Sequence, residues 1–125
     1  MIRIRTLIML AAFLAGALAL SAPSQAASSM AIPKLTGTVG PGFTITLKKA
    51  GKTFKTLKAG KYTITVSDKS NIHNFHLTGP GLNKEITTVS FVGTKTITVT
   101  FAKGKTYKFV CDPHATVMKG SFKTF

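Results

Sequence analysis

Apolar and polar residues alternate along most of the chain beyond residue 33. Phe43-Thr44-Ile45-Thr46-Leu47, Tyr62-Thr63-Ile64-Thr65-Val66 and Ile97-Thr98-Val99-Thr100-Phe101 change character at every position. Successive side chains of a pleated strand point to opposite faces, so a period of two predicts strands with one buried face. Thr, Ile, Val and aromatic residues suit such a half-buried surface. The runs Leu35–Val39, Phe54–Leu57, His73–Thr78, Ile86–Phe91, Thr106–Cys111 and Lys119–Thr124 extend the pattern. Gly40-Pro41-Gly42, Ala50-Gly51, Ala59-Gly60, Gly79-Pro80-Gly81 and Lys103-Gly104 punctuate it as turns. No sustained helical stripe follows residue 33. About eight short strands with such spacing predict an all-β, antiparallel sandwich. Neither Gly-Pro-Gly triplet opens a helix, so both read as turns rather than phosphate loops.

The first residues follow a different rule. Arg3 and Arg5 precede an almost wholly apolar stretch, Leu7 to Leu20, and then Ser21-Ala22-Pro23-Ser24-Gln25-Ala26. A short positive segment, an apolar core and small residues at Ser24 and Ala26 predict a secretory signal peptide, residues 1–26. Fourteen apolar residues fall short of the ~20 that span hydrocarbon. The protein is therefore expected to be secreted or periplasmic. Residues 27–34 then form a flexible lead, and residues 35–125 a single domain.

Composition narrows the chemistry. The 125 residues hold 17 Lys+Arg, 3 Asp+Glu, 3 His and 1 Cys. One Cys makes no internal disulfide and no zinc ribbon. Three acids leave little scope for a carboxylate-pair hydrolase. Residues 27–125 carry 15 Lys against 3 acids, a net charge of +12. Lys48, Lys49, Lys52, Lys55, Lys58 and Lys61 recur within one short stretch. They read as a solvated face that discourages edge-to-edge sheet pairing, or as a surface that attracts an acidic redox partner or an anionic envelope surface. Nucleic acid is not an expected partner, because that segment has no Arg for bidentate base reading.

The candidate chemistry gathers near the C-terminus. In Tyr107-Lys108-Phe109-Val110-Cys111, alternation puts Tyr107, Phe109 and the Cys111 thiol on one inward face. Pro113 ends that strand in a tight turn, with His114 next and Met118 beyond. Met118, Gly120 and Phe122 share the inward face of the outgoing run. A thiolate, an imidazole and a thioether on one loop are soft ligands that suit copper better than zinc, calcium or magnesium. A free thiol in an exported protein also favours ligation. The remaining ligand must come from His73 or His76. Period two places His73 on the buried face of its run and His76 on the polar one, so His73 is preferred and His76 is the alternative.

Two motifs in this chain resemble those of the cupredoxins, the type 1 blue copper family. His73-Asn74 at the start of a strand is similar to the family's first His ligand and the Asn after it. Cys111-Asp112-Pro113-His114 with Met118-Lys119-Gly120 resembles its Cys-x-Pro-His…Met-x-Gly loop. The resemblance covers about residues 35–125. It implies a Greek-key sandwich holding one copper ion, with His73, Cys111 and His114 as strong ligands and Met118 as a weak axial one. It also implies that Asn74 and Pro113 support the ligand loop. The segment between His114 and Met118 is one residue shorter than in plastocyanin-like loops and one longer than in amicyanin-like ones.

The implied activity is one-electron transfer by a monomer, not catalysis. Multicopper oxidases, copper nitrite reductases and copper–zinc superoxide dismutase need more His than three, and dinuclear copper centres need two Cys. Two other readings use the same residues: a protein that buffers or delivers copper, and a basic binding module with a vestigial metal site.

Overall fold

The computed structural model describes residue 16 and residues 19–125. The expected signal peptide, residues 1–26, lies largely outside the described residues. Among these, residues 19–33 carry no regular structure, and the first strand starts at Lys34.

Ten strands form two five-stranded sheets. In chain order they are β1 (Lys34–Val39), β2 (Ile45–Lys49), β3 (Lys52–Thr53), β4 (Thr56–Leu57), β5 (Gly60–Asp68), β6 (Phe75–Gly79), β7 (Leu82–Thr87), β8 (Gly93–Phe101), β9 (Thr106–Val110) and β10 (Lys119–Thr124). One sheet runs β3-β2-β1-β5-β8, the other β4-β10-β9-β6-β7. The two-layer sandwich follows the alternation. In β5, Tyr62, Ile64 and Val66 turn inward, while Thr63 and Thr65 between them stay partly exposed. Phe75 and Leu77 of β6 meet them from the facing layer, with Phe101, Tyr107 and Phe122 filling the far end.

Two pairings depart from the expected antiparallel arrangement. β1 pairs with β5 in parallel, Leu35 opposite Ile64, and β4 pairs with β10 in parallel. The cause is the number of traverses. The chain runs out along β1, back along β2, makes the short β3, crosses to the other sheet for β4, and returns along β5 in the direction of β1. Period two encodes which face a residue takes but not the direction of its neighbour. The short run Phe54–Leu57 is where the chain changes sheet: Lys123 donates its N–H to the Lys55 carbonyl, and the Phe54 ring packs edge-on against Phe122 at 5.2 Å.

Several run boundaries also shift. Phe43 is not part of β2; it lies in the turn before it and is 61% exposed. The run Ile86–Phe91 stops pairing at Thr87, where a turn closes with Phe91 N–H bonded to Thr88 C=O. His73 and Asn74 precede β6 instead of opening it. On β9 the inward face holds, but Phe109 stays half-buried. Its ring lies over Gly120 of β10, where any Cβ would collide with it, and it stacks on Phe75 with centroids 5.8 Å apart.

Candidate metal centre

Three chain segments meet at one end of the sandwich. Cys111 follows β9 and is fully buried. Pro113 then sits in the first turn of a short 3-10 helix, Asp112–His114, which brings His114 back over the thiol. Hydrogen bonds close this loop at its neck: Cys111 N–H to Met118 C=O at 3.0 Å, Met118 N–H to His114 C=O at 2.8 Å, and His114 N–H to Cys111 C=O at 3.0 Å. Met118, at the end of the loop, is fully buried. The second segment carries His73, whose N–H reaches Ser70 C=O. The third is the Gly40–Phe43 turn.

His73, Cys111 and His114 present their donor atoms to one another. Nδ1 of His73 and Nδ1 of His114 are 3.1 Å apart, and Cys111 Sγ lies 3.7 and 3.6 Å from them. Two imidazole nitrogens pointing at each other and at a thiol compete for the same small space. A point equidistant from the three atoms lies about 2.0 Å from each, against metal bonds of ~2.0–2.1 Å to imidazole and ~2.3 Å to thiolate in a comparable late transition-metal ion. The donor set, His2Cys with a buried Met beside it, is the set that trigonal copper prefers. Shape and chemistry therefore both fit one copper ion. His73 is fully buried and His114 half-buried, so His114 is the imidazole that reaches towards solvent.

His76 does not join the cluster. It points along the outer face of the β6–β7–β9 sheet, with Nδ1 2.9 Å from Asp112 Oδ2 and Nε2 bonded to Asn83 Oδ1. The structure groups His73, and not His76, with Cys111 and His114, for a reason other than simple alternation. Residues 73 and 74 are both buried, which strand periodicity forbids. They lie in the irregular segment between the turn at residues 71–72 and β6, and each side chain finds its own inward direction.

Asn74 ties the two ligand-bearing segments together. Its Oδ1 accepts the Asp112 N–H at 2.7 Å, and its Nδ2 donates to Asp112 Oδ2 at 2.6 Å and to Glu85 Oε1 at 3.0 Å. Partial burial alone would raise the Asp112 carboxyl. Hydrogen bonds from Asn74 and His76, and the charge on His76, outweigh that and hold it below the usual carboxylate range. His76 is shifted upward. Burial opposes its charge, but its bonds to Asn83 and Asp112 and the charges of Asp112 and Glu85 prevail. Pro113 contributes through backbone shape, fixing φ at the second residue of the 3-10 helix.

Phe43 is a site residue that alternation concealed. Its ring stands edge-on to His114 at 4.9 Å and to His73 at 5.6 Å, capping the pair from the Gly40–Phe43 turn. The only sequence signal was Gly-Pro-Gly directly before it. Gly40 has φ +69° and packs so near His73 and Ser70 that a Cβ would press on both. Glycine there lets the turn approach the imidazole.

A family model for copper binding proteins of the plastocyanin/azurin family matches residues 52–124. Among solved structures, rusticyanin from Thiobacillus ferrooxidans aligns with a TM-score of 0.52 at 24% identity, over 74% of this chain and 76% of that one. A crystal structure of substituted rusticyanin gives 0.51 at 23% identity over the same shares. These likenesses show the fold. No curated protein matches the sequence.

Proposed function

Because the chain belongs to the plastocyanin/azurin family of copper-binding proteins, we propose that it is an exported one-electron carrier whose type 1 copper would be held by His73, Cys111 and His114, with Met118 as the fourth ligand. The observation that carries this reading is the triangle of two Nδ1 atoms and one Sγ, buried except on the His114 side. Bound copper supplies the Cu(I)/Cu(II) couple, and the protein supplies everything else. Cys111 would hold the ion as a thiolate. The bonds across the Cys111–Met118 neck and the Asn74 bridge hold the donors in place whichever charge the centre carries, which keeps reorganisation small. Burial of His73, Cys111 and Met118 excludes water from all sides but one. His114, with exposed Pro113 and Ala115 beside it, is the route by which the electron passes to a partner. With only 3 His and 1 Cys, the chain has no ligands for a second copper or for a substrate-binding copper cluster, so the reading is of a carrier and not an enzyme. Export by residues 1–26 places it outside the cytoplasm. No helix among the described residues is long and apolar enough to cross a membrane.

The test is optical. Cu(II) added to the purified protein should produce an intense blue thiolate-to-copper absorption that ascorbate bleaches and ferricyanide restores. Cys111→Ser should abolish it. Uptake of Cu(I) alone without colour would turn the reading towards copper handling, and no uptake of either ion would refute it.

A further inference from the structure

Net charge is uneven between the two ends of the sandwich. All three acids lie at the copper end: Asp68 closes β5, Asp112 is in the Cys111–Met118 loop, and Glu85 bonds Asn74. The opposite end is crowned by lysines from separate turns. Lys49 and Lys52 flank the β2–β3 turn, Lys58 and Lys61 the start of β5, and Lys103 and Lys105 the β8–β9 turn. All six are exposed. The turns are bound into one surface. Ala59 N–H bonds Phe125 C=O, Gly104 N–H bonds Thr124 C=O, and the Tyr62 hydroxyl bonds Lys58 C=O with Lys49 Nζ 5.8 Å from its ring. β5 is nine residues long, so the ends are separated by roughly 25–30 Å, several times the ~8 Å screening length at physiological salt. Each end therefore presents its own field.

Two large apolar side chains stand among these lysines: Phe125, 62% exposed, and Ile32, 43% exposed, just ahead of β1. We propose that this end is a docking surface for a membrane carrying anionic phospholipid headgroups, which leaves the copper end facing away. The crown is built from exposed turns that spread over a whole end of the molecule, so it matches an extended anionic plane and not a pocket-sized ligand. Lysines meet headgroup phosphates, while Phe125 and Ile32 enter the boundary between headgroups and acyl chains. A soluble hydrophilic polyanion would use the lysines only and leave both apolar side chains in water. The uneven distribution orients the molecule, because at the copper end Lys69, Lys95 and Lys119 are offset by the three acids, while the crown has no acidic side chain to offset its lysines.

Protein collected after export from an expressing cell, mixed with phosphatidylglycerol–phosphatidylcholine vesicles, should sediment with them, release at high salt, and ignore pure phosphatidylcholine. Replacing Lys61, Lys103 and Lys105 together by Gln should weaken vesicle binding on the order of a hundredfold. Replacing Lys69, Lys95 and Lys119, which lie towards the copper end, should weaken it far less despite the same change in net charge. Phe125→Ser should cost several-fold and raise the salt sensitivity. Circular dichroism verifies that each variant is folded. Three results would overturn the proposal: equal weakening by the two triple variants, equal binding to neutral vesicles, or binding to soluble dextran sulfate with none to anionic vesicles.

Discussion

Replacing Asn74 by Ala removes the buried side chain that bridges the two ligand-bearing segments. Three hydrogen bonds are lost, two of them to carboxylates. Those to Asp112 Oδ2 and Glu85 contribute little to the balance, since both carboxylates are exposed and water replaces the donor. The Asp112 N–H matters more. At 2.7 Å it has its partner in Asn74 Oδ1, and an unsatisfied, partly buried donor costs about 1–3 kcal/mol. The cavity left by a buried amide adds to this, giving a loss of about 2–4 kcal/mol. For a domain of this size that lowers the unfolding midpoint by roughly 10–25 °C. The Cys111–Met118 loop would keep its neck bonds, so the donor triangle should survive but lose rigidity, and copper should be held about 10- to 100-fold less tightly. The assay pairs thermal unfolding of the metal-free protein with the rate at which a chelator bleaches the blue form. An Asn74→Ala protein as stable as the parent that releases copper no faster would refute the bridge argument. Loss of stability without faster release would confine the role of Asn74 to the fold.

Other predictions follow from the neighbouring geometry. His76→Ala should keep the blue colour, because His76 faces Asp112 and Asn83 and not the thiol; a colourless variant would make His76 the ligand. The same variant should change how stability varies with pH. The folded pKa of His76 is raised above its unfolded value, so its contribution is full below about 6.5 and is lost as pH rises through the folded value. Asp112 is lowered, so its share is present above the ordinary carboxylate pKa and is lost as pH falls through the depressed one. The unfolding midpoint of the copper-loaded parent should therefore fall more than that of His76→Ala between mildly acidic and mildly alkaline buffer. Gly120→Ala should destabilise by about 1–3 kcal/mol, seen in urea titration, because its Cβ overlaps the Phe109 ring. Phe43→Ala should cost only about 0.5–1.5 kcal/mol but speed oxidation of the reduced protein by ferricyanide several-fold, by uncovering both imidazoles; an unchanged rate would deny Phe43 its capping role.

Much of the molecule can be read along the chain, for a definite reason. Strand alternation is local, so the inward set Tyr62, Ile64, Val66, Phe75, Leu77, Tyr107 and Phe122 follows from period two, and a two-layer β fold follows from that set. Cys111, His114 and Met118 were legible together because one short loop carries them. Tertiary structure decided what depends on neighbours distant in sequence. The parallel pairs β1–β5 and β4–β10 depend on how often the chain crosses the body, which no periodicity records. His73 and Asn74 are both buried because they lie in an irregular segment ahead of β6, where alternation no longer governs direction. Phe43 reads as a core position of a strand, yet it caps two imidazoles from a loop. The polarity of charge was likewise hidden: lysines scattered along the chain become one basic end only when the turns between β2 and β3, before β5, and between β8 and β9 are folded to the same side, away from Asp68 and Asp112.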